Sequence, residues 1–230
     1  MKETIFNTAL FLHVIAGVAS LSSGLIAMMV RKKGGKIHNT AGVIFYWSMF
    51  FIFITSILFV VFYPTVLRYQ FFLGIGIVSF YPCYSGDRIL KMKKGVDPKW
   101  KDWSALVLIL VSGVGMLVYG LYLQFTSPGT FMILFYVFGS LSLAQGIGDL
   151  QRFNGKREFG KMGWFFGHAS KMIGAYSAAV TAFCVNILPR FMPEDTSMSI
   201  FILTWVGPGI IFIFVTKYFV KKYKLKFKMI

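Results

Sequence analysis

The sequence predicts an all-α fold: a polytopic membrane helical bundle of seven transmembrane helices, with the N-terminus outside and the C-terminus cytoplasmic. Hydrophobic side chains make up 57% of the 230 residues and mean hydropathy is +0.69, far from the balance of a soluble domain. Several uncharged runs reach the roughly 18 residues that a helix needs to cross a bilayer. The basic residues return at every second break between those runs, which is the pattern of membrane orientation. A net charge of +16 would suggest nucleic acid in a soluble chain; distributed this way it marks loops, and no nucleic-acid partner is expected.

The chain reads as one transmembrane domain, 1–230, with spans at about 5–30, 38–62, 67–86, 103–125, 130–149, 162–188 and 198–219, then a basic cytoplasmic tail, 220–230. The first span is a retained helix, since its basic cluster follows the apolar run where a signal peptide would place it before. Pro64, Pro128 and Pro189 lie in breaks, whereas Pro82 and Pro208 lie inside spans and predict kinks. Cys83 and Cys184 fall within apolar spans, as small packing residues do.

Orientation rests on four basic segments. Arg31, Lys32, Lys33 and Lys36 follow the first span, and Arg88, Lys91, Lys93, Lys94, Lys99 and Lys101 follow the third. Arg152, Lys156, Arg157 and Lys161 follow the fifth, and Lys217, Lys221, Lys222, Lys224, Lys226 and Lys228 form the tail. Of the 24 Lys and Arg, only Lys2, Arg68, Arg190 and Lys171 lie elsewhere. Trp100, Trp103 and Trp164 stand at the same boundary, as an aromatic belt does. "SGLIAMMVRKKGGKIH", "SGDRILKMKKGVDPKW" and "IGDLQRFNGKREFGKM" share a weak period through Gly24, Gly86 and Gly148. That period predicts three helical hairpins with cytoplasmic turns plus a seventh helix.

The polar residues inside spans are the candidate site. "HVIAGV" at His13 and "HNTAGV" at His38 repeat one string, but on antiparallel helices. At about 1.5 Å per residue His13 lies roughly 27 Å from the basic edge, in the outer leaflet, while His38 lies at that edge. They cannot share a metal. His13, Gly17, Ser20 and Gly24 form a small-residue stripe, so the first copy reads as a packing seam. His168 is about 10 Å in from the basic side, so His38 and His168 are the candidate haem or metal ligands. Lys171, on the face of His168, is a cation near the membrane midplane. It either snorkels or faces a polar cavity. Gln145 and Asp149 share a face of the fifth span, and Asp87 ends the third. Each aspartate stands against a helix dipole and so calls for a partner: a loop Lys or Arg, or Lys171 or a histidine. Tyr46 and Tyr176, each eight residues after a histidine, complete the candidate cavity.

"LHVIAGVASLSSGLIAMM", "KIHNTAGVIFYWSMF" and "GHASKMIGAYSAAVTAF" resemble an uncharacterised bacterial family of multi-pass membrane proteins with H-x3-G helix motifs. Lys171 stands where that family's last motif has tryptophan, and Gly174 where it has arginine. The resemblance implies a bacterial inner-membrane location and no assigned reaction. The chain is also similar, more faintly, to cytochrome b561-like bundles, which implies haem between histidines of neighbouring helices; His38 and His168 suit one such haem.

Several functions stay open on the sequence alone. A cytoplasm-facing His/Lys/Asp site could bind haem b for electron transfer with a quinone, or couple protons to a small solute in a transporter. A metal-dependent intramembrane enzyme using His38, His168, Asp87 and Asp149 lacks any tight ligand spacing. A sensor, assembly factor or structural protein is a further reading. The bilayer is the expected partner in each.

Overall fold

The computed structural model describes residues 1–93, 97–156, 160, 162–193 and 195–229. Lys94, Arg157 and Lys161, counted above among the orienting bases, lie outside the described residues. The described residues form seven long helices and no strand: α1 (Lys2–Met29), α2 (Lys36–Phe62), α3 (Leu67–Met92), α4 (Trp100–Thr126), α5 (Thr130–Phe153), α6 (Gly163–Ile187) and α7 (Met198–Lys226). A 3-10 turn, Leu188–Phe191, follows α6.

Each apolar run is thus a helix, and the largest differences are at C-terminal ends. α3, α5 and α7 run past the apolar stretch into basic sequence. Hydropathy marks where lipid contact ends, whereas backbone hydrogen bonding continues and a cation at a helix C-terminus is favourable. Lys91, Arg152, Lys224 and Lys226 occupy such last turns. α3 and α7 run unbroken through Pro82 and Pro208.

Six of the helices are long and apolar enough to cross a membrane; α3 is the seventh and does not qualify. The reason is its position. α3 packs against α2, α4, α5 and α6 and buries Phe71, Val78, Tyr81, Cys83, Ser85 and Ile89 among others. A helix walled in by protein needs no lipid-compatible surface, so it can carry Gln70, Ser79, Ser85 and Arg88. α7 is the converse: it buries only Thr204 and Trp205 and exposes Ile210, Ile211, Ile213 and Phe214.

Described bases of the basic segments meet at one end of the bundle: Lys93 lies over the Trp164 ring, and Arg88 and Arg152 line one cavity. The pairing differs from three successive hairpins. α1 pairs with α2 and α4 with α5, while α3 pairs with α6, and α6 with α7. α5 and α6 are consecutive yet share no extended interface. Glycine placement explains the α4–α5 hairpin. Gly113 and Gly120 on α4, and Gly139 and Gly146 on α5, recur at seven-residue spacing. Each faces the other helix: a Cβ on Gly139 would lie 3.0 Å from the Gly113 carbonyl oxygen, and one on Gly120 3.3 Å from Phe135. Without an attraction between apolar faces in lipid, close backbone approach is what holds such helices together.

Candidate functional site

The candidate site is at the basic end, where α3, α4, α5 and α6 meet. Tyr81, Ser85 and Arg88 follow one another at four- and three-residue steps, so one face of α3 carries two hydroxyls and a guanidinium. Asp149 and Arg152 are one turn apart on α5, and Asp102 is in the first turn of α4. Lys171 lies eight residues into α6, about 12 Å along it. Gly86 brings α6 this close. A Cβ there would stand 3.2 Å from the Cβ of Lys171 and 3.3 Å from the Met172 sulfur, so alanine would push α6 outward.

Lys171 Nζ donates to Asp149 Oδ2 at 2.7 Å and to Ser85 Oγ at 2.9 Å. Tyr81 OH donates to the same Asp149 oxygen at 2.8 Å, and Arg152 Nη1 to Oδ1 at 2.7 Å. Ser85, having accepted from the ammonium, donates to the Tyr81 carbonyl. Asp149 is 3% exposed, so its carboxylate is held by protein donors from three helices. The ammonium also stands 5.4 Å from the centre of the Tyr81 ring, an added electrostatic contact. Lys171 therefore does not snorkel to water.

A second ion pair lies beside the first. Arg88 holds Asp102 in a fork, Nε to Oδ1 at 2.6 Å and Nη2 to Oδ2 at 2.7 Å. Tyr84 OH adds a bond of 3.0 Å, and the Lys99 backbone N–H one of 2.8 Å, which also caps α4. Between the two clusters is a small cavity of ≈ 10 Å³, lined by Tyr81, Tyr84, Ser85, Asp102 and Asp149 with both arginines. It has room for about one water.

The histidines take up other positions. A backbone carbonyl can only accept, so Nδ1 of His38 donates to Ala27 O at 3.0 Å and Nδ1 of His168 to Gly86 O at 2.9 Å. Thr55 donates its own proton to α2 carbonyls, so His13 Nδ1 donates to its Oγ1 at 2.7 Å. All three imidazoles thus carry the Nδ1 proton and present Nε2. His13 also packs on the Phe59 ring at 5.2 Å, a contact of the α1–α2 seam. His38 shares the C-terminus of α1 with Lys33, whose Nζ reaches Ala27 O and Met28 O.

The remaining candidates divide. Asp87 pairs with Lys91 at 2.9 Å on its own exposed turn, away from Lys171. Gln145 is half-buried one turn before Asp149 and makes no hydrogen bond among the described residues. Tyr46 packs edge-on against Phe80, and Tyr176 packs between Phe45 and Phe212 and over Gly24; both belong to an apolar α2–α3–α6 cluster. Among the described residues no three His, Cys, Asp or Glu side chains are grouped to hold a metal. The set His38, His168, Asp87 and Asp149 is not assembled, because each aspartate is already turned to a cation.

Tyr81, Ser85, Arg88, Arg152 and Asp102 escaped the sequence reading. The arginines were counted as loop charges, and only the acid three residues after Lys99, a helix-start signature, could have singled out Asp102. Comparison with protein-family models, curated proteins and solved structures gives no significant match.

Proposed function

We propose that the chain is a bacterial inner-membrane protein with seven spans, α3 included, and with the basic end in the cytoplasm. Its Lys171–Asp149 pair is the proton-exchanging site of a small-solute transporter. The carrying observation is that pair itself, 2.7 Å long and buried where α3, α5 and α6 meet. A buried ion pair is often no more stabilising than apolar packing, and ionisable groups inside a membrane bundle mark proton and solute pathways. The α3 length of 26 residues supports its crossing, at about 1.5 Å per residue. The H-x3-G motifs support membership of the bacterial family named above.

Asp149–Lys171 ties α5 to α6, which otherwise share no extended interface. A proton from the cytoplasm that adds to Asp149 makes the carboxyl neutral and leaves the ammonium without its counter-charge. α5 then parts from α6, and a crevice opens between them toward the cytoplasm. Return of the proton closes it. A solute that bridges the same two helices would be bound in step with the proton.

The test is proton flux into proteoliposomes carrying a trapped pH-sensitive dye, after an imposed pH jump. Wild-type protein is expected to pass protons faster than empty liposomes, and Asp149→Asn and Lys171→Met to fall to the empty rate. A wild-type rate in either variant, or no flux in the wild type, would overturn the reading.

A second reading draws on the two histidines. His38 and His168, each held by Nδ1 with Nε2 presented, have the tautomer that haem ligation requires. Haem b bound there would supply one-electron transfer, and the nearby Lys33 and Lys93 suit its propionates. A Soret band lost in His168→Ala would support this; colourless protein from haem-replete cells would exclude it.

A further inference from the structure

A proton exchanging with Asp149 needs a way to a carboxylate that is 3% exposed. Lys171 from α6 and Tyr81 from α3 cover Oδ2, and Arg152 on α5 donates to Oδ1. Toward α3 and α4, however, Asp149 borders the ≈ 10 Å³ cavity. Tyr81, Tyr84, Arg88 and Met92 line that cavity and follow one another along one face of α3 at three- and four-residue steps. Met92 ends α3, Phe153 ends α5, and Asp102 is in the first turn of α4. The cavity therefore lies between Asp149 and the basic end, with half-buried Met92 and Phe153 outermost. Its walls suit a water. Tyr84 OH donates to Asp102 Oδ1 at 3.0 Å and Tyr81 OH to Asp149 Oδ2 at 2.8 Å, so each phenol spends its one proton and keeps its oxygen as an acceptor. A buried water needs about two to four polar partners, and two phenol oxygens and two carboxylates stand around this one cavity.

We infer that the proton reaches Asp149 from the basic end through this cavity, over a single bound water that Tyr84 positions. The inference rests on Asp149 being the proton-exchanging group. The water gives one proton to the carboxylate as it takes one from the basic side, so it is left unchanged while the site gains one proton and one positive charge. Tyr84 is a positioning residue. Its oxygen accepts from the water, and its own proton is fixed on Asp102, which Arg88 and the Lys99 backbone N–H hold in place. The Arg88–Asp102 pair thus sets the cavity wall, while Lys171, Tyr81 and Arg152 are the groups that answer to the charge on Asp149.

The experiment is time-resolved infrared spectroscopy of the reconstituted full chain after an acid pH jump, following the carbonyl stretch of a protonated carboxyl that Asp149→Asn lacks. Tyr84→Phe leaves Arg88 and the Lys99 N–H on Asp102 and should slow the rise on the order of tenfold, the worth of one hydrogen bond. The final height of the band should not change, because Asp149 keeps its own donors. Met92→Trp, which plugs the outer end of the cavity at a half-buried position, should slow the rise as well and serves if Tyr84→Phe fails to fold. Tyr46→Phe removes a hydroxyl from the apolar α2–α3–α6 cluster and should leave the rate as it is. A wild-type rate in Tyr84→Phe or Met92→Trp, a lowered final height at an unchanged rate, or equal slowing in Tyr46→Phe would overturn the inference and leave the role of Asp149 standing. No such band in the wild type would overturn both.

Discussion

Asp149 accepts hydrogen bonds from Lys171 on α6, Tyr81 on α3 and Arg152 on its own helix, so one carboxylate joins three helices. Lys171→Met takes one of two cations from this buried carboxylate and leaves Arg152 on it. It is expected to destabilise the protein by about 1–3 kcal/mol, and Lys171→Met/Asp149→Leu, which removes the buried carboxylate as well, to recover part of that loss. Unfolding curves in detergent measure both. If the single variant matches the wild type, the ammonium is not buried against the carboxylate. Lys171 was legible as a cation inside an apolar run, and Asp149 as an acid at a helix end in need of a partner. Which of Asp87 and Asp149 met Lys171 was not legible, because the choice depends on which face of α6 meets α3 and α5. Arg88 and Asp102 were hidden for the same reason: charges near a turn look solvated until a neighbouring helix covers them.

At the scale of elements, the seven apolar runs gave the helices almost directly, since each run is long and unambiguous. The pairing was less visible. The Gly24, Gly86 and Gly148 period suggested sequential hairpins, yet Gly24 and Gly86 both receive α6, beneath Tyr176 and Lys171 respectively. The α4–α5 seam does have a sequence signature, glycines seven residues apart on both helices. Gly139→Val would press on the Gly113 carbonyl, and an overpacked contact of this kind costs about 1–3 kcal/mol. Gly115→Val, where a Cβ meets nothing within 4 Å, should cost under about 0.5 kcal/mol. Equal effects of the two substitutions would argue against the seam.

For the whole molecule, six apolar helices make this an integral membrane protein, and the uneven bases propose its orientation. A fluorescent-protein fusion at the C-terminus should fluoresce, and an alkaline phosphatase fusion there should be inactive; the reverse pattern would invert the topology. A reporter placed in the α3–α4 connection should behave as the C-terminal one does. The opposite result would mean that α3 does not cross. α3 lies between α4–α5 on one side and α2 and α6 on the other. Among the described residues, contacts that join α5 directly to α6 or α7 include the Phe138–Trp205 ring contact, 6.3 Å apart, at the end away from the bases, and Lys171–Asp149 at the basic end. The first is apolar and indifferent to protons. The second depends on charge, so it decides whether α5 and α6 are joined. Its most direct measurement is labelling of Gln145→Cys by a membrane-impermeant maleimide from the cytoplasmic side, with Cys184 replaced by serine and Cys83 fully buried. Labelling should be slow beside an intact pair and on the order of tenfold faster with Asp149→Asn. An unchanged rate would contradict the account, because α5 and α6 would then be held together by something other than that charge.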